Sequence, residues 1–175
     1  MGSGKTSVSK ALTEKSGFTL IDTDQKIEEM QQATINQIFS TKGEAHFRQL
    51  EEKLCESLLT CNNTIISTGG GLILSEKNQD SLKKIGLVIY LEASVNTIVS
   101  RIKTDTKRPL FNQKSPHSSL SILLNRREQI YKKLADLTIT TDLKSIEEIA
   151  DTIWGFYNTQ IMDTQGRKVI YHDAN

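Results

Sequence analysis

Four short, β-rich runs recur along this chain: FTLID (Phe18–Asp22), TIIST (Thr64–Thr68), GLVIYLE (Gly86–Glu92) and LTITT (Leu137–Thr141). Helical patterns fill the spaces between them. Strands joined through helices need crossover connections, and a crossover returns the second strand parallel to the first. A parallel sheet is buried on both faces, so helices must cover both. The alternation therefore predicts an α/β fold with a parallel sheet between two helical layers. Phe47, Leu50, Leu54 and Leu58 recur at three- and four-residue steps and give one apolar stripe on a helix. Leu120, Leu123, Leu124 and Ile130 do the same between Ser118 and Ala135. Ser75, Ser94 and Ser145 stand at expected N-caps, and Ser145 has Glu148 three residues on, as a capping box requires.

The 175 residues suit one domain large enough to bury a core. A net charge of +1 sets up no global field toward nucleic acid or an anionic membrane, so neither is an expected partner. No apolar run approaches the roughly 20 residues that span a bilayer. Cys55 and Cys61 lack metal-ligand spacing and read as reduced cysteines of a cytoplasmic protein. The opening six residues formally fit a myristoylation pattern, but glycines beside Lys-Thr have a better explanation.

That explanation starts from MGSGKTSVSK, in which Gly4-Lys5-Thr6 matches the end of the phosphate loop G-x-x-x-x-G-K-[ST]. The first glycine of the motif would fall two residues before Met1, so half a motif is present and an accidental match is the alternative. In the functional reading, Gly2 and Gly4 let backbone approach a phosphate, Lys5 reaches the terminal phosphates, and the helix expected over Lys5 to Lys15 has an N-terminus that attracts anions. Thr6 is also the expected Mg²⁺ hydroxyl. In LIDTDQKIE, strand alternation would turn Asp22 and Asp24 to the same side at the carboxyl edge of the sheet, where open α/β folds bind ligands. One carboxylate would serve Mg²⁺ and the other would accept a hydroxyl proton. The alternative for Asp24 is helix capping.

Arg48 and Glu51 lie three apart in GEAHFRQLEE, and the plain reading is a surface ion pair worth a few tenths of a kcal/mol. Gly69, Gly70 and Gly71 directly follow a strand, a costly choice unless something approaches the backbone closely. Lys103–His117 is polar, carries both prolines and Arg108, and reads as a lid, with an ordinary loop as the alternative. Arg126 and Arg127 sit on the next helix. Beyond Trp154 the sequence suggests a weak hairpin turning near Gln165-Gly166.

In this order, the half phosphate loop, D-x-D, IFSTKGEAHFRQLEE, STGGG, RPLF and RREQIYKKLAD resemble shikimate kinase over Met1 to about Trp154. The resemblance implies a three-layer P-loop kinase fold in one domain, residues 1–158, with 159–175 as a C-terminal tail. It implies phosphorylation of the 3-hydroxyl of shikimate by ATP with Mg²⁺, in a cytoplasmic monomer. It further implies catalytic roles for Lys5, Asp24 and Arg108, and ATP contacts from Gly2 through Ser7, Arg101 and Arg108. Thr6 and Asp22 would serve the metal, with Ser67 nearby. Asp24, Arg48, Gly69, Gly70, Gly71 and Arg127 would hold the substrate.

Two alternatives stand beside this: a non-catalytic relative, and a sibling kinase acting on gluconate or a nucleoside monophosphate. The family's first, central strand is missing from the chain as written, which leaves an expected gap of about 10 Å between the strands TIIST and GLVIYLE. The strand is expected upstream of Met1, and the chain without it is expected to be poorly stable. KVIYH, near the C-terminus, is strand-like but is not expected to fill the slot, because direction and connection would both have to suit a parallel neighbour.

Overall fold

A computed structural model describes the backbone of residues 2–103, 116–163 and 168–173, and the side chains of residues 2–101, 122 and 124–160. The elements run α1 (Lys5–Ser16), β1 (Thr19–Asp22), α2 (Thr23–Gln31), α3 (Ile35–Ser57), β2 (Thr64–Ser67), α4 (Glu76–Ile85), β3 (Gly86–Glu92), α5 (Val95–Lys103), α6 (Pro116–Leu134), β4 (Leu137–Thr140), α7 (Ile146–Asp163) and β5 (Lys168–Asp173). Among the described residues the strands form one sheet in the order β1-β2-β5-β3-β4, and every neighbouring pair is parallel.

Period-two alternation sorts the apolar side chains onto the two faces. Ile65, Leu87, Ile89 and Leu91 pack with Val8 and Leu12 of α1 and Ile149 and Ile153 of α7. Ile66, Val88 and Tyr90 turn the other way, toward Phe47, Leu54, Leu82, Ile98 and Tyr131. Every residue of β2 is buried, as are all but the last of β3. The result is the three-layer α/β architecture that the alternation predicts.

Two of the three expected serine caps form. Glu148 N donates to Ser145 Oγ (3.1 Å) while Ser145 N donates back to the Glu148 carboxylate (2.7 Å). Thr97 N donates to Ser94 Oγ at 3.2 Å. Ser75 sits at the N-cap of α4 without capping it, and its hydroxyl donates to Glu52 instead.

The largest departure lies in the tail. In place of the expected hairpin, the described residues show α7 continuing to Asp163 and Lys168–Asp173 forming a strand in the slot expected to be vacant. Val169 and Ile170 pair with Ile65 and Ile66 on one side and with Leu87 and Val88 on the other. Direction and connection both suit, because α7 is 18 residues long, roughly 27 Å of helix. A helix of that length carries the chain from the carboxyl edge of β4 back to the amino edge of the sheet. β4–α7–β5 is thus a β-α-β crossover, and its strand emerges parallel by construction.

With this slot filled, the 175-residue chain should unfold cooperatively, and a variant lacking residues 164–175 should not. Removing β5 unpairs backbone groups on both β2 and β3, at about 1–3 kcal/mol for each buried unsatisfied group. A total stability of about 5–15 kcal/mol would be exhausted by a few of them. Thermal melts of both lengths check this, and equal midpoints would mean that β5 contributes nothing.

Candidate active site

The carboxyl edge of the sheet gathers the side chains singled out in the sequence. At its centre Gly4 caps α1 in a left-handed conformation (φ 93°), and Gly2 also has positive φ (77°). These angles turn the chain so that the first N–H groups of α1 face outward, where they and the helix dipole favour an anion. Arg101 braces the loop. Its Nη1 donates to the Gly2 carbonyl (3.1 Å) and to Thr141 Oγ1 (3.1 Å), and its Nη2 donates to the Thr141 carbonyl (3.0 Å). The arginine expected among the ATP contacts ties the loop before α1 to the exit of β4.

Lys5 is largely buried and reaches across to β2. Its Nζ donates to Ser67 Oγ at 3.0 Å and lies 3.6 Å from Asp22 Oδ2, while Ser67 Oγ donates to the same carboxylate oxygen at 2.9 Å. Asp22 also works through its other oxygen, accepting from Asp24 N (3.1 Å) and Gln25 N (3.3 Å) as the N-cap of α2. This corrects the strand-alternation argument. The strand stops at Asp22, the cap is Asp22 rather than Asp24, and Asp24 lies in the first helical turn. Thr6 is exposed in the first turn of α1. Its hydroxyl and the Asp22 carboxylate are hard oxygen donors of the kind Mg²⁺ takes when phosphates and waters complete its shell.

Two of the three consecutive glycines have a steric explanation. A Cβ on Gly69 would collide with the Asp24 carboxylate, and one on Gly71 would collide with the Arg48 guanidinium. Both side chains lie directly over this loop. The loop is held from below, with Gly69 N donating to Thr23 Oγ1 (3.0 Å) and Tyr131 Oη donating to the Gly70 carbonyl (2.7 Å). Tyr131 is itself buried and stacked on Tyr90, with centroids 5.0 Å apart.

Arg48 and Glu51 form no surface pair. Glu51 is 1% exposed, and Arg48 Nη1 donates to its Oε2 at 2.7 Å. Burial pushes the Glu51 carboxyl above its usual range, against the pull of Arg48; nearby Asp24 adds to the push and Arg127 opposes it. Burial also works against the charge on Arg48, but Glu51 and Glu44 outweigh it and hold the guanidinium above its ordinary value. Asp24, Arg48, Glu51 and Arg127 thus belong to one electrostatic cluster, while Arg126 is exposed. Arg108 and residues 104–115 of the expected lid lie outside the described residues. Glu51, Thr23 and Tyr131 were not predicted from sequence. Only the spacing of Glu51 from Arg48 pointed to any of them, and spacing does not distinguish a buried pair from an exposed one.

A family model described as shikimate kinase matches residues 1–158. The chain belongs to the shikimate kinase family. A shikimate kinase of Persephonella marina is 41% identical over 155 residues, covering 89% of this chain and 93% of the relative. One of Thermodesulfovibrio yellowstonii is 40% identical over 153 residues, covering 87% and 88%. Among solved structures, the shikimate kinase from Acinetobacter baumannii in complex with shikimate superposes with a TM-score of 0.83 at 34% identity, covering 91% of this chain and 89% of that one. Shikimate kinases are ATP-using enzymes, and the phosphate loop, D-x-D and triple glycine of this member converge as their shared order implies.

Gly69→Ala and Gly71→Ala should each leave the fold intact, since neither glycine has positive φ. Each should weaken substrate binding at least about tenfold by displacing Asp24 or Arg48, a cost of about 1.4 kcal/mol or more. Calorimetric titration of shikimate checks this, and wild-type affinity in both variants would separate the glycines from the site.

Glu51 gives a pH signature. With its folded-state carboxyl titrating above the ordinary value, its contribution to stability is fully present below about pH 4 and is lost as pH rises through the raised value. Glu51→Gln should therefore gain on the parent protein as pH rises above the ordinary glutamate range, whatever the constant offset between them. Urea unfolding at several pH values measures the difference, and a flat difference would contradict the shift.

Proposed function

We propose that this chain transfers the γ-phosphoryl group of ATP to the 3-hydroxyl of shikimate, giving shikimate 3-phosphate and ADP, with the residues above in distinct roles. The observation that carries the assignment is the glycine loop. It brings Asp24 and Arg48 against neighbouring backbone positions, one suited to a hydroxyl and the other to a carboxylate. A small polyhydroxylated acid presents both groups. Arg48 and Arg127 grip the carboxylate, and Gly69, Gly70 and Gly71 line the pocket.

Asp24 accepts the 3-hydroxyl proton as that oxygen attacks the γ-phosphorus and the bond to the β-phosphate bridging oxygen breaks. Lys5 leaves its resting contacts with Ser67 and Asp22 for the phosphates, where its charge offsets what develops on the transferred group. Gly2, Ser3, Gly4, Thr6 and Ser7 cradle the phosphates, Arg101 borders the nucleotide, and Arg108 reaches the migrating phosphoryl group. Thr6 and Asp22 would hold Mg²⁺, which would supply charge neutralisation to the phosphates. The chain works as a monomer in this reading, and the two free cysteines, Cys55 and Cys61, suit a reducing, cytoplasmic compartment.

An ADP-release assay with shikimate, ATP and Mg²⁺ tests the reaction, and faster turnover on gluconate would move the chain to the sibling activity. Arg48→Ala and Arg127→Ala should each weaken shikimate binding by about 2–5 kcal/mol. Arg108→Ala should slow kcat on the order of 10³-fold, and an unchanged kcat would remove Arg108 from the transition state.

A further inference from the structure

Arg48 is held between two glutamates of its own helix. Its Nη1 donates to Glu51, while Nη2 (2.7 Å) and Nε (3.3 Å) both donate to the same oxygen of Glu44, one turn earlier on α3. The Nε/Nη2 edge of a guanidinium is one of the two on which it receives a carboxylate side-on. The two glutamates differ sharply in standing. The Glu51 side chain is 2% exposed and cannot leave without burying a charge unpaired, whereas that of Glu44 is 63% exposed. Glu44 also follows Gly43, whose backbone (φ 79°, ψ 170°) breaks the helical path of α3 and starts a new helical segment at Glu44.

We propose that Glu44 is a built-in surrogate for the substrate carboxylate, occupying the Nε/Nη2 edge of Arg48 and swinging out into solvent when substrate docks. The inference rests on the reading of Arg48 as the carboxylate-binding arginine. An intramolecular competitor four residues away stands at high effective concentration. A ligand with only a carboxylate to offer gains little by displacing it. A ligand that also engages Asp24 and Arg127 through further groups overcomes the competition. Glu44 thereby sets substrate KM and screens out simple carboxylic acids, and it takes no part in phosphoryl transfer.

Steady-state kinetics of Glu44→Gln and Glu44→Ala test this. The shikimate KM should fall about two- to five-fold, as expected for releasing an exposed ion pair, with kcat and the KM for ATP unchanged. Inhibition by benzoate, a bare carboxylate, should strengthen in parallel. In an Arg48→Ala background the Glu44 substitution should have no effect on KM. Unchanged or raised shikimate KM in both single variants, or an equal fall without Arg48, overturns the inference. Wild-type kinetics in the same experiment separate the two readings. Absent turnover of shikimate would overturn the proposed function and this inference with it, whereas normal turnover with KM insensitive to Glu44 would overturn the inference alone.

Discussion

The double pairing of β5 with β2 and β3 is the interaction on which the rest of the molecule depends. The site is built in two halves on either side of that strand. Asp22, Ser67 and the glycine loop belong to β1 and β2, while Arg101 and Thr141 belong to the β3–β4 side. The phosphate loop spans both, since Lys5 bonds to Ser67 while the Gly2 carbonyl accepts from Arg101. Strands hydrogen-bond at roughly 4.8 Å, so two neighbours held one strand apart fix the separation of the halves at about 10 Å. Positioning in this site is therefore a property of the sheet before it is a property of any loop.

Two of the cations assigned to ligands, Lys5 and Arg48, already hold carboxylates. Lys5 sits on Asp22 through Ser67, and Arg48 sits between Glu51 and Glu44. A cation left bare in a partly buried cleft would carry an uncompensated desolvation cost. Ligand binding then becomes an exchange of anionic partners, which keeps the side chains oriented throughout.

Much of this was legible in the sequence because the signals were local. The strands FTLID, TIIST, GLVIYLE and LTITT each carry their own apolar alternation and turn boundaries, and they became β1 to β4. The triple glycine announced a close approach to backbone, and Asp24 and Arg48 make it. What escaped was non-local. KVIYH is plainly strand-like, but its partners Ile65 and Leu87 lie far back in the chain, and their suitability depends on the length of α7, which the pattern placed too short. The burial of Glu51 depends on what packs over α3, which helical spacing does not encode. Asp22 displaced Asp24 as the cap because the strand ended two residues earlier than its alternation suggested.

The sheet order also fixes an order of events in time. β1 with β2, and β3 with β4, are pairs joined by intervening helices and can be approached as soon as those segments exist. Val169, by contrast, meets Ile65 on the order of 100 residues after it in the chain. A ribosome delivers the chain from its N-terminal side. Throughout most of synthesis, β2 and β3 therefore present open, apolar edges to each other and to anything else nearby. Such edges recruit foreign strands readily. For this chain the vulnerable period in the cell is the interval before residues 168–173 emerge, and a chaperone that shields β-edges would matter most then.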